Sequence, residues 1–336
     1  MKPKTLITII VVLSVLMLFY VSGPKVAKLS LTTDLPVITV TPEQADNYLK
    51  GKESSVSFIK PDNEAQIIWF DSLKKNKTAY CIVYLHGFSA SQGEGIPVHK
   101  NIAQRFGCNL YLPRLYAHGL AEQEPLLELT EEKYLTSVKE AVAFAKNLGQ
   151  QIILMGTSTG ATFSLYLASG NPDIKGLILY SPNIDLRDPT SFLLVKPWGL
   201  QIAQTVLGGK YYSFTGPEGV EKYWTTRYRI EALVRLKNLL KYTMTKENFS
   251  KIKQPALVCY YYKNEKEQDD VVSIPAMQDM FKQLGTPDSL KRMINIPNAG
   301  KHAIASGIFS KDVKSVEKAT AEFMTQVLRI PEVPLK

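Results

Sequence analysis

The chain has 336 residues, 45% of them hydrophobic and 21% charged, which suits one large domain with an insertion and excludes a disordered chain. Its formal charge of +9 comes from lysines scattered along the whole length, so a solvated basic surface is expected and nucleic-acid binding is not. Three cysteines, Cys81, Cys108 and Cys259, fall in or beside apolar runs and read as small buried hydrophobes; with four histidines in no ligand spacing, neither a disulfide framework nor a metal site is expected.

Thr5 to Val21 is an uncharged run behind Lys2 and Lys4. As a helix its seventeen residues span about 25 Å, a little short of a hydrocarbon core of roughly 30 Å. Tyr20 at one end and the snorkelling stem of Lys4 at the other lengthen that reach. The lysines favour a cytoplasmic N-terminus, with the bulk of the chain across the membrane. Val21-Ser22-Gly23 runs straight into Pro24 without a small-x-small cleavage site. Residues 1–22 are therefore expected to be an uncleaved single-pass anchor; the alternative is a removed signal segment and a secreted or periplasmic product. Lys25 and Lys28 would favour anionic head groups beside such an anchor. Residues 23–51, with prolines at 24, 36 and 42, read as a linker into a domain covering 52–332.

Ser55 to Ile59 and Ala65 to Phe70 flank Pro61-Asp62-Asn63 and predict an opening hairpin. Thr78 to Leu85 is apolar throughout, as in a parallel strand covered on both faces, and ends in His86-Gly87-Phe88. A helix over about 97–106, a strand over 108–112, a helix over about 131–148 capped by Thr130, and a strand over 151–155 follow. That last strand runs through Gly156-Thr157-Ser158-Thr159-Gly160 into an amphipathic helix. A G-x-S-x-G motif between strand and helix is a nucleophile elbow: the tight turn lifts the serine hydroxyl clear of the sheet, and the helix amides point at the same place. After a strand over 176–180 the alternation stops. Residues from about 183 to 250 carry helical periodicity and the aromatics Trp198, Tyr211, Tyr212, Phe214, Tyr223 and Trp224. Alternation resumes with 256–262, 274–284, 292–296 and 313–328, which indicates a doubly wound sheet carrying a helical insertion.

From about Ser55 onward the chain resembles an α/β-hydrolase of the monoacylglycerol lipase and carboxylesterase type, related to the serine aminopeptidases. The resemblance rests on His86-Gly87-Phe88, the elbow, Asp269-Asp270-Val271-Val272 and a late His302, in the family's order. It implies a mostly parallel sheet with helices on both faces and a helical cap at about 183–250. It also implies Ser158 as nucleophile, His302 as base, and an oxyanion hole made by the amides of Phe88 and Thr159. The acid is expected at Asp269, with Asp270 and Asp185 as alternatives. His99 and His118 precede the serine, against the family's order, and His86 is expected to tie loops together. The cap aromatics either line an acyl pocket or pack the cap onto the domain. The implied activity is hydrolysis of carboxylic esters, of acylglycerol type, without metal or organic cofactor. The same machinery serves peptidases and thioesterases, and a silent scaffold that binds a lipid or a partner protein is the reading from a different class.

Overall fold

The computed structural model describes residues 3–334 of the chain; Lys2, part of the expected N-terminal charge, lies outside them. Helix α1 (Pro3–Val21) is continuous, and its stretch Lys4–Val21 has a mean hydropathy of 2.4 and exposed side chains. By length and composition it can cross a membrane.

Residues 23–51 differ from the linker expected of them. Leu31, Leu35, Ile38 and Val40 pack against the domain core, and Asn147 grips the segment by donating to Ile38 O at 2.9 Å and accepting from Val40 N. Helix α2 (Pro42–Ser54) then starts with proline in its first turn and with Gln44 reaching back to the Thr41 amide at 3.3 Å. It buries Ala45 and Leu49, and Tyr48 stacks on Phe144. The apolar residues of this segment are spaced to cover a domain surface, a pattern hidden by its prolines.

β1 (Gln66–Ile68), β2 (Thr78–Leu85), α3 (Val98–Arg105), β3 (Asn109–Leu112), α4 (Glu131–Ala145), β4 (Gly149–Thr157), α5 (Thr159–Ala168) and β5 (Ile174–Tyr180) follow. The expected strand at 55–59 does not form: Phe58 has a positive φ of 61°, so the chain turns within the stretch that would have to extend. The insertion holds α6 (Gly199–Val206), β6 (Tyr211–Ser213), α7 (Val220–Tyr223), β7 (Arg227–Arg229), α8 (Ile230–Thr243) and α9 (Lys246–Lys251). Its two short strands were not anticipated. They pair Tyr212 with Tyr228, and the Arg227 guanidinium lies 3.4 Å from the Tyr211 ring centroid, so cross-strand aromatic contacts replace a long apolar run. β8 (Ala256–Tyr260), α10 (Ile274–Gln283), β9 (Lys291–Asn295) and α11 (Val313–Gln326) complete the chain.

Seven strands form one sheet in the order β1-β3-β2-β4-β5-β8-β9, parallel except for β1 at the edge. The central strands are buried on both faces, and alternate side chains feed two cores. Val83, Leu85, Leu154, Leu177 and Val258 meet α4 and α5, whereas Ile82, Ile153, Ile178 and Leu257 meet α3 and α11. Registers Leu85↔Gly156, Thr157↔Tyr180 and Tyr260↔Asn295 end the strands at one edge of the sheet, where an open α/β sheet carries its ligands.

Candidate active site

Ser158 stands between β4 and α5 with φ 54° and ψ −116°, a strained conformation for a residue with a Cβ. Neighbours over-determine it. Its amide donates to Tyr180 O at 2.9 Å, and its carbonyl accepts from Thr162 N and Asn183 N. The two elbow glycines have steric reasons. A Cβ on Gly160 would come within 1.8 Å of Leu85 O, and one on Gly156 within 2.6 Å of the Gly160 carbonyl carbon. The helix start must press onto β2 and β4, and only glycine allows it.

Asp269 lies in the loop after β8 and His302 in the loop after β9. His302 Nδ1 and Asp269 Oδ2 are 2.7 Å apart. The other carboxylate oxygen accepts from Val271 N at 2.9 Å and Val272 N at 3.1 Å, so the acid is held before the imidazole is considered. Burial pushes Asp269 toward the neutral form, but the His302 partner and the two amides outweigh it and hold the carboxyl below its usual range. Burial likewise opposes a charge on His302; the charge and hydrogen bond of Asp269, with Glu94 and Asp270 adding, win and lift its pKa above the ordinary histidine value. His302 Nε2 is buried and makes no hydrogen bond among the described residues.

The alternative acids are occupied elsewhere. The Asp270 side chain is 56% exposed and pairs with Lys301, while that of Asp185 is 48% exposed and pairs with Lys237. The alternative histidines are also engaged. His99 Nε2 bonds Gln92 O, and burial drives its pKa down to about 3; His118 Nδ1 bonds Tyr116 O, and burial drives its pKa down to about 4. His86 bonds Gly87 O through Nδ1 and accepts the Leu115 amide on Nε2 at 3.2 Å, which joins two loops as expected and leaves it no free nitrogen.

The loop after β2 rests on the serine, since a Cβ on Gly87 would lie 3.3 Å from Ser158 Cβ. Phe88 is half-buried, with its ring edge-on to His118 and to Tyr228 of the insertion. Thr159 opens α5, where first-turn amides have no intrahelical acceptor. Ser181, just after β5, links this side to the histidine loop by donating to His302 O at 2.8 Å. One acid was not found from sequence. Glu94, in the short 3-10 turn Gln92–Gly95, is buried, accepts the Gly87 amide at 2.7 Å, and is pushed by burial up to about 7. Its signal, a lone glutamate among glycines just after the His-Gly-Phe turn, is visible but not specific.

The alpha/beta hydrolase family model matches residues 82–307, about two thirds of the chain and all of the side chains above. The chain belongs to the alpha/beta hydrolase family. A thermostable monoacylglycerol lipase from Bacillus sp. (strain H-257) is 31% identical over 105 residues, 31% of this chain and 41% of that protein, so under half of the relative's length is matched. Among solved structures, one of the metagenome-derived lipolytic enzymes LipS and LipT superposes with a TM-score of 0.64 at 16% identity, covering 80% of this chain and 99% of the other. The Paleococcus ferrophilus monoacylglycerol lipase gives 0.56 at 14%, covering 77% and 97%. At these identities the structural likeness speaks to fold.

In this hydrolase the insertion is stitched to the site loops. Leu186 bridges Val272, Arg187 N donates to Val271 O at 2.9 Å, and the Arg187 guanidinium donates to Asp269 O at 2.7 Å. Thr225 N donates to Ser89 O, and Trp224 is buried against Phe309. The aromatics Trp224 and Tyr228 thus pack the insertion down onto the sheet edge. Chemically, a serine on a strained turn, an imidazole bonded to a buried carboxylate and first-turn amides with no intrahelical acceptor suit acyl transfer.

Proposed function

We propose that this hydrolase cleaves carboxylic esters, of acylglycerol or similar medium-sized acyl type, through an acyl-enzyme on Ser158, from a domain held at a membrane by α1. The observation that carries the reading is the Asp269–His302 pair at 2.7 Å, its carboxylate fully buried, on loops leaving the same sheet edge as the strained Ser158. The acylglycerol class is supported by the local similarity to a monoacylglycerol lipase.

Asp269 holds the imidazole with Nδ1 protonated, which leaves Nε2 as the base. Ser158 Oγ adds to the carbonyl carbon while its proton passes to His302 Nε2. The amides of Phe88 and Thr159 take the charge that develops on the carbonyl oxygen. Collapse breaks the ester C–O bond, and the leaving alcohol takes the proton back from the imidazolium. Water then repeats both steps on the acyl-enzyme, releasing the acid and free Ser158. Labelling by a fluorophosphonate probe tests the reading: the folded wild type should be labelled and Ser158→Ala should not. A folded wild type that takes no label would sink it.

A further inference from the structure

Behind the His-Gly-Phe turn lies a carboxylate for which the proposed chemistry has no direct use. Glu94 is 3% exposed, and burying an ionisable acid is costly unless something compensates. Its Oε2 accepts from Gly87 N at 2.7 Å and from the Tyr84 hydroxyl at 3.0 Å. Tyr84 is in turn 2.9 Å from Thr157 Oγ1, the residue directly before Ser158. With Glu94 ionised, Tyr84 donates to it and Thr157 donates to Tyr84, so one chain of hydrogen bonds joins the turn after β2 to the end of β4. The same glycine is flanked on both sides: a Cβ on Gly87 would lie 2.8 Å from Glu94 Oε1 and 3.3 Å from Ser158 Cβ.

We propose that Glu94 is a positioning residue of this site, setting the Phe88 amide against Ser158 through its hydrogen bonds to Gly87 and to the Tyr84–Thr157 chain. The inference rests on the serine-hydrolase reading. Gly87 immediately precedes Phe88, so a fixed Gly87 amide fixes the peptide plane before it and limits where the next amide can point. The groups facing Glu94 are Tyr84 of β2, Tyr134 of α4 and His302. His99 of α3, edge-on to Tyr84, stays neutral. His302 is faced by Asp269 and Asp270 besides Glu94, and Lys301 pairs with Asp270. Glu94 is the member of this set that bonds the Gly87 amide of the turn.

Two variants test the positioning role. In Glu94→Gln the amide oxygen can accept both hydrogen bonds while the charge is gone; in Glu94→Ala both acceptors are lost and the Gly87 amide is orphaned. Glu94→Gln should keep kcat within about threefold of the wild type, because its amide oxygen still accepts both hydrogen bonds. Glu94→Ala should lower kcat by about 100-fold with KM changed by less than about threefold, the pattern of a misaligned oxyanion donor. A folded Glu94→Ala enzyme with wild-type kcat, or a Glu94→Gln enzyme as impaired as Glu94→Ala, overturns the proposal. If Glu94→Ala does not fold, Tyr84→Phe, which removes the hydroxyl link between Glu94 and Thr157 and should lower kcat at unchanged KM, decides alone, and wild-type kcat in it overturns the proposal. Ser158→Ala run alongside keeps the questions apart. Indifferent Glu94 variants in an enzyme that needs Ser158 remove only this inference, whereas an unlabelled, inactive wild type removes both.

Discussion

At the scale of single residues, the choice between adjacent aspartates turns on where the backbone amides are. Asp269 and Asp270 are the same chemistry one position apart, but one side chain has 0% exposure and two amide donors, and the other has 56% and a lysine. Asp269→Asn should therefore lower kcat by at least about 100-fold, through loss of the tautomer and of imidazolium stabilisation, while Asp270→Asn stays within about threefold. The reverse ranking in a kcat comparison would move the acid by one residue. The sign of the pH dependence follows from the same contacts. A base at His302 would be competent only when neutral, and its pKa lies above the ordinary value, so the wild-type rate should rise with pH through an ionisation above about 6.5. A profile that is flat from pH 5 to 8, with chemistry limiting, would count against a histidine base.

At the scale of elements, the segment before the sheet behaves as part of the domain. α2 buries Leu49, stacks Tyr48 on Phe144 of α4, and carries Glu53, whose carboxylate pairs with Arg114 at 2.8 Å and accepts the Ala65 amide. Both partners of that pair are about nine-tenths buried, so losing one strands the other. A chain beginning near Leu31 keeps all of this and should unfold as the full domain does. One beginning at Val56 should lose at least about 3 kcal/mol from the exposed face and the stranded arginine. Equal denaturant midpoints for the two chains would refute the role given to α2. The insertion follows the same logic: its contacts to the Asp269 loop and to Ser89 mean that it supports the site.

At the scale of the whole molecule, α1 and the insertion meet. Trp198 stacks on Phe19 with ring centroids 5.0 Å apart, donates from its indole to Phe19 O, and donates its amide to Pro24 O. A membrane holding α1 would thus lie beside the insertion. The full-length protein should sediment with membranes, resist high salt and be released by detergent, and a chain from Leu31 should stay in the supernatant and hydrolyse small esters. An intact mass lacking the first twenty or so residues would remove the anchor and leave a cleaved product. The sequence by itself determined the parallel sheet, the elbow, and the nucleophile and base as candidates, because apolar runs, strand-to-helix glycines and chain order are local signals. Only the tertiary structure decided which aspartate meets His302, that residues 23–51 clasp the domain, and that Glu94 lies behind the turn. Each of these depends on burial and on hydrogen bonds between residues far apart in the chain, which no local pattern records.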